Sequence, residues 1–321
     1  MTGSRPDVDA LPEDKNQRIF ETQIIPTLHV GTPQPYPVLV IVAGQTGAGK
    51  TGLTALIRHA LPSHVLINMD DYNPRHPRYT GWLREDPAGA AERVRTDGQK
   101  WWSKAQQFAR RHRQHVVLES AARYPSEFEE IAAEFTASGY RVEAAVMATP
   151  PLWSRLGILS RYVAEVDAVG WGRRVPVDVH DECCAGVLRG AAAVDGGGLA
   201  HAAYAFRRGG RVLYANQVNT ADHRWSEPAA FAAAVRAEHA RPWTQQERRW
   251  FDGQLARLRS TAPGEIAAEL DNLAAAAGRY GPSVPARLAG PAFPPATGAP
   301  VVQPAAGAGD IAHPLNRGLR R

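Results

Sequence analysis

Residues 44–51 read Gly-Gln-Thr-Gly-Ala-Gly-Lys-Thr, a full match to the phosphate loop GxxxxGK[ST]. Its glycines let the backbone wrap closely, so that N–H groups face phosphate oxygens. A helix starting at Thr51 points its positive end at the same anion. Lys50 supplies a point charge for the β- and γ-phosphates, and the Thr51 hydroxyl is the expected Mg²⁺ ligand. Gly44, Gln45, Thr46, Gly47, Ala48, Gly49, Lys50 and Thr51 thus predict binding of ATP with Mg²⁺. The motif does not say what is done with the nucleotide.

Phosphoryl transfer needs a base and further cations. Ligands of open α/β sheets sit beyond the carboxyl ends of the strands. Two acids are expected there, Asp70 after a second strand and Glu119 after a third. One duty is to take the proton of an attacking hydroxyl, another to bind Mg²⁺ through water, and the two carboxylates share them. Asp71 is a turn residue. Arg161 and Arg173 are candidates to offset charge on the transferring group. Of 37 basic residues only Lys15, Lys50, Lys100 and Lys104 are lysines, so spacing alone singles out neither arginine.

The elements that must position these groups follow from periodicity. Residues 37–43 form a continuous apolar run rich in β-branched residues, as a parallel strand buried on both faces does. Further strands are expected at 65–69, 115–119 and 140–147. Helices are expected at 51–60, at 90–112 with a break at Asp97-Gly98, at 125–138 and at 150–166. The alternation predicts a doubly wound, mostly parallel α/β sheet of the P-loop kinase type. A hairpin at 202–215 and helices at 227–239, 244–259 and 263–279 come after it. The expected organisation is a leader, 1–36, with a helix at 12–22. A kinase domain, 37–225, and a helical extension, 226–281, come next. The tail, 282–321, has eight prolines and reads as disordered.

Composition bounds the rest. The 321 residues are 44% hydrophobic and 21% charged, enough for a core without disulfides. The only cysteines, Cys183 and Cys184, are neighbours and read as buried thiols in a reduced, cytoplasmic setting. No signal peptide or membrane span is expected. Net charge is +5, and its densest cluster, residues 110–113, falls at a helix end. Nucleic acid is therefore not an expected partner.

Several segments together resemble the zeta toxin family of toxin–antitoxin kinases. They are residues 44–51, Ile67–Tyr79 with its His76-Pro77 step, Val117–Arg123 and Gly139–Met147. Ser154, Arg161-Tyr162, and Arg173 seven residues before His180-Asp181 complete the set. They cover about residues 20–220 in family order. The resemblance implies phosphorylation of the sugar 3′-hydroxyl of UDP-N-acetylglucosamine, with Asp70 as base and Lys50 and Thr51 in the ATP–Mg²⁺ loop. It implies Arg161 and Arg173 on the γ-phosphate and Glu119 and Arg123 on the sugar nucleotide. Arg173 is preferred to Arg174 by its distance to Pro176 and His180. A small helical antitoxin is the implied partner; residues 8–28 could block the site in cis, or simply dock as a helix.

The family commonly reads Glu-Gly-Thr where this chain has Glu119-Ser120-Ala121, so a substrate-binding hydroxyl is either missing or replaced by Ser120. That departure leaves open another acceptor: a different nucleotide sugar, a dinucleotide or an antibiotic. A silent, nucleotide-gated binding protein and a polynucleotide kinase are further alternatives.

Overall fold

The computed structural model describes residues 9–28, 31–124 and 126–278. The expected tail, 282–321, and the expected helix start at Pro125 lie outside the described residues.

Six strands form one sheet: β1 (Val38–Ala43), β2 (His64–Asn68), β3 (His115–Ser120), β4 (Arg141–Ala148), β5 (Ala202–Arg207) and β6 (Val212–Gln217). Their order is β2-β3-β1-β4-β5-β6, parallel throughout except for the β5–β6 hairpin. β1 lies between β3 and β4, so its carboxyl end opens at the centre of the sheet, where a crevice forms.

The two-residue period of β1 divides the core. Val38, Val40 and Val42 pack with Leu53 and Ile57 of the Lys50–Ala60 helix. Leu39, Ile41 and Ala43 share a larger cluster with Trp101 and Ala105 of the Arg95–Arg111 helix and with Val187 and Ala191. All six β1 side chains are buried, which is why this strand reads as an unbroken apolar run.

The sequence reading misses several helices here. Val177–Asp195 is a 19-residue helix whose buried His180, Cys183, Val187, Ala191 and Val194 carry the 3.6-residue period. Short helices also form at Met69–Tyr72 and Tyr79–Glu85. The expected break at Asp97-Gly98 falls earlier, at Val94, between Ala90–Arg93 and Arg95–Arg111. Asp97 is buried for another reason. It accepts hydrogen bonds from the Leu11 N–H at 2.9 Å and Asn16 Nδ2 at 2.6 Å, and it lies 3.6 Å from His76 Nε2.

That carboxylate fastens the amino-terminal helical segment, which runs from Glu13 to Leu28 through a π-helical turn at Phe20–Ile24. Phe20, Ile24 and Leu28 enter the larger core. The expected end of this helix at Thr22 thus lies inside it, because burial carries the helical backbone onward.

At the other end, Phe231 and Val235 of the Phe231–Ala240 helix belong to the same core. The helices Gln245–Thr261 and Ala267–Gly278 pack Phe251, Leu255 and Leu270 against Leu156 and Leu159 of the Pro151–Val169 helix. A reciprocal Thr244–Glu247 capping box starts the first of them.

Candidate active site

The phosphate loop leaves β1 at Gly44 and enters the helix at Lys50. Gly47 and Gly49 have φ of +79° and +94°, in the left-handed region that glycine tolerates. A Cβ on Gly47 would also lie 2.0 Å from the Ser154 carbonyl oxygen. The loop therefore rests backbone against backbone on the Pro151–Val169 helix. Gln45 Nε2 donates to the Thr149 carbonyl at 2.6 Å and to Ser154 Oγ at 3.2 Å.

Ser154 Oγ lies 2.8 Å from His180 Nε2, and His180 Nδ1 lies 2.9 Å from Asp181 Oδ1. The order resembles a nucleophile, a base and an orienting acid. Yet Ser154 and His180 are fully buried, so no substrate can reach them. Their place is structural: they hold Gln45 and, through it, the loop.

Lys50 Nζ curls back onto the Gly44 carbonyl at 2.7 Å. Burial pulls the ammonium below its ordinary pKa, while the charges of Glu119 and Asp70 oppose that shift. Its hydrogen-bond partners are neutral carbonyls, so among the described residues its charge has no contact ion pair and is available to an anion.

Asp70 follows β2 in the Met69–Tyr72 helix, whose Asn68 cap accepts the Asp70 N–H at 3.0 Å. Its Oδ1 lies 2.6 Å from Arg173 Nη1, and its side chain is 45% exposed in the cleft. Desolvation pushes this carboxyl up, but the charge and hydrogen bond of Arg173, with Lys50 and Arg161 behind them, hold it below its usual value. Arg173 Nε is buried with no partner among the described residues. Arg161, on the Pro151–Val169 helix, lines the same cleft and lies 3.8 Å from Glu165. Arg174 borders the cleft as well, but its guanidinium bonds Glu269 of the carboxy-terminal helices.

Glu119 ends β3, accepts from Thr54 Oγ1 at 2.5 Å and lies 3.4 Å from Asn68 Nδ2. Ser120 lines the cleft too, but its hydroxyl donates to Glu127 and accepts from the Ala122 N–H at 2.8 Å. Arg123 reaches Glu182 at 2.7 Å and Glu92 at 3.4 Å.

Lys50, Thr51, Asp70, Glu119, Ser120, Arg123, Arg161 and Arg173 border one cleft of about 840 Å³, which Arg95, Trp102 and Tyr124 also line, whereas Gln45, Ser154 and His180 are buried behind it. Trp102, Cys183 and Arg208 also line it and were missed from sequence. Cys183 carried a findable signal, the helical period of 177–195; an isolated tryptophan and one arginine among many carried none. No residue of 9–28 reaches the cleft, so the described part of the amino-terminal segment does not block it.

A phosphate loop on the central strand, with an acid and two arginines across a crevice, is the layout of a kinase-like phosphotransferase. The profile of the Zeta toxin family matches residues 25–219, and the chain belongs to that family. Toxin PezT of Streptococcus pneumoniae serotype 4 (strain ATCC BAA-334 / TIGR4) is 26% identical over 127 residues. That match spans 39% of this chain and half the length of PezT. The solved structure of the PezAT chromosomal toxin–antitoxin system of Streptococcus pneumoniae superposes with a TM-score of 0.66 at 17% identity. It covers 79% of this chain and 99% of that one, and shares its fold. Among the described residues no helix is long and apolar enough to cross a membrane.

Proposed function

We propose that this protein transfers the γ-phosphoryl group of ATP to a hydroxyl of a nucleotide sugar, with UDP-N-acetylglucosamine as the first acceptor to test. The observation that carries this reading is the convergence of Lys50, Asp70, Arg161 and Arg173 on one cleft, with Asp70 2.6 Å from Arg173.

The residues present fit a bound triphosphate and Mg²⁺. The Lys50 ammonium, hydrogen-bonded only to carbonyls, and the Nε of Arg173, without a partner among the described residues, both suit an anion. Thr51 borders the cleft at the helix start, and Glu119 and Asp70 lie within reach of Lys50's field. Among the described residues no three acids, histidines or cysteines converge as a metal cage. Mg²⁺ does not require one, since it is commonly held by one or two protein groups and by substrate phosphates. Bound there by Thr51, and through water by Glu119 or Asp70, it would neutralise charge on the phosphates.

Asp70 is the base that takes the acceptor's proton, and its depressed pKa keeps it ionised at neutral pH. Arg173 has two tasks, steadying that carboxylate and offering its free N–H to the phosphoryl oxygens. Lys50 and Arg161 add positive charge on the same side. Beyond Asp70, Arg95, Arg123, Trp102 and Tyr124 supply cations and flat rings suited to a nucleoside diphosphate. A small helical antitoxin in trans is the partner we propose by kinship with the PezAT system.

The test is ATP turnover by the wild type with and without UDP-N-acetylglucosamine, its products read by mass spectrometry. A mono-phosphorylated sugar nucleotide supports the reading. ATP binding with the sugar nucleotide untouched keeps the kinase and discards this acceptor.

Arg173→Ala supplies a separate check. The active form of Asp70 is deprotonated, so the rate falls as pH drops through its pKa. Without Arg173 the desolvation of Asp70 is opposed less, and its pKa rises. The acidic limb of the pH–kcat profile is therefore expected at higher pH in the variant. A limb that stays in place would show that Arg173 does not act through Asp70.

A further inference from the structure

Resting on that reading, we propose that the base of the nucleotide is held by a pocket whose outer wall, Trp250 of the Gln245–Thr261 helix, lies outside the family-matched region.

The pocket has a volume of about 270 Å³ and is bordered by Pro150, Trp153, Arg208, Gly209, Gln246 and Trp250. That is near the lower end for small-ligand sites, about 300–1,000 Å³. Arg208 lines both this pocket and the phosphate cleft, so the two spaces meet at one side chain. It stands in the β5–β6 turn beside the phosphate loop: a Cβ built on Gly49 would lie 3.4 Å from Arg208 Nε. A nucleotide whose phosphates lie on Gly44–Thr51 thus has its base within reach of this pocket.

Four features suit a purine. Trp250 is 43% exposed although its ring stacks on Trp153 at 4.9 Å and the Arg208 guanidinium lies 5.9 Å from its centroid, so a planar group entering here meets both a ring and a cation. Arg208 Nη1 is buried with no partner among the described residues, leaving a donor for a phosphate or ring nitrogen. The charged groups at the back are spent on one another. Glu238 takes Arg207 at 2.7 Å and Arg241 at 2.7 Å, and Glu247 takes Arg241. The wall is thereby stiff and offers a neutral base no unpaired carboxylate. Gln246 can hydrogen-bond a base edge. Trp250 lies beyond residue 219, where the family match ends.

Calorimetric titration of the full chain with ATP and with inorganic tripolyphosphate, both with Mg²⁺, tests the assignment. Trp250→Ala is expected to weaken ATP about tenfold, the scale of one lost base–aromatic stack, and to leave tripolyphosphate unchanged. Trp250→Phe, which keeps a flat ring, is expected to restore most of the ATP affinity. Unchanged ATP affinity in Trp250→Ala, or an equal loss for both anions, overturns the pocket. Wild type that binds tripolyphosphate as tightly as ATP overturns the pocket and spares the phosphate loop. Wild type that binds neither sinks the phosphate site and the pocket together.

Discussion

Asp70→Asn is expected to bind ATP nearly as tightly as the wild type and to turn over on the order of 10²–10⁴-fold more slowly, the usual contribution of a positioned general base. Asparagine keeps the size of the side chain and can accept a hydrogen bond from Arg173, but it cannot take a proton. The backbone position survives as well, since the Asn68 cap that orients residue 70 bonds its N–H and not its side chain. Rapid-quench turnover with saturating acceptor separates the two quantities. Undiminished turnover would remove Asp70 from the chemistry and leave Glu119 as the carboxylate to test. The pH profile of the wild type adds a sign. Because Asp70 sits below the ordinary carboxyl range, turnover should hold steady through mildly acidic pH and fall only below it.

Lys50→Met is expected to lower kcat/KM for ATP by about 10³-fold, the scale on which one electrostatic contact to the transition state is lost. Its effect on stability should run the other way. Burial works against the Lys50 ammonium, and its hydrogen bonds reach only the Gly44 and Gln45 carbonyls. A methionine keeps the stem and removes the desolvated charge. The melting temperature without nucleotide is therefore expected to stay level or rise, while the stabilisation by added ATP disappears. A marked fall in melting temperature would mean that Lys50 holds the loop together. The expected divergence is the mark of a buried charge that serves binding and not the stability of the fold.

Legibility differed from residue to residue for physical reasons. The phosphate loop was read in full because its chemistry is local: backbone donors, a lysine and a hydroxyl lie within eight consecutive positions. β1, β3 and β4 were placed within a residue or two because central strands must be apolar on both faces. The Val177–Asp195 helix went unread. Its apolar face is diluted by His180, Gly186 and Cys183, which are buried for packing and hydrogen bonding, while Cys184, also expected to be buried, is only partly so.

The acids at the ends of β2 and β3 were legible in kind, because strand ends are where ligands bind, but their partners were not. Neighbouring Arg173 and Arg174 look alike in sequence, and only the folded loop turns one to Asp70 and the other to Glu269. Ser120 was expected to face substrate as a hydroxyl, yet its proton goes to Glu127.

The sequence by itself determined that a triphosphate loop opens a parallel sheet, and through kinship with a known family it pointed to a phosphotransferase. Only folding settles which arginine meets Asp70, where the amino-terminal segment docks, and that Trp250 stands beside Arg208. Each of these is a contact between side chains far apart along the chain, and no local spacing encodes such a meeting.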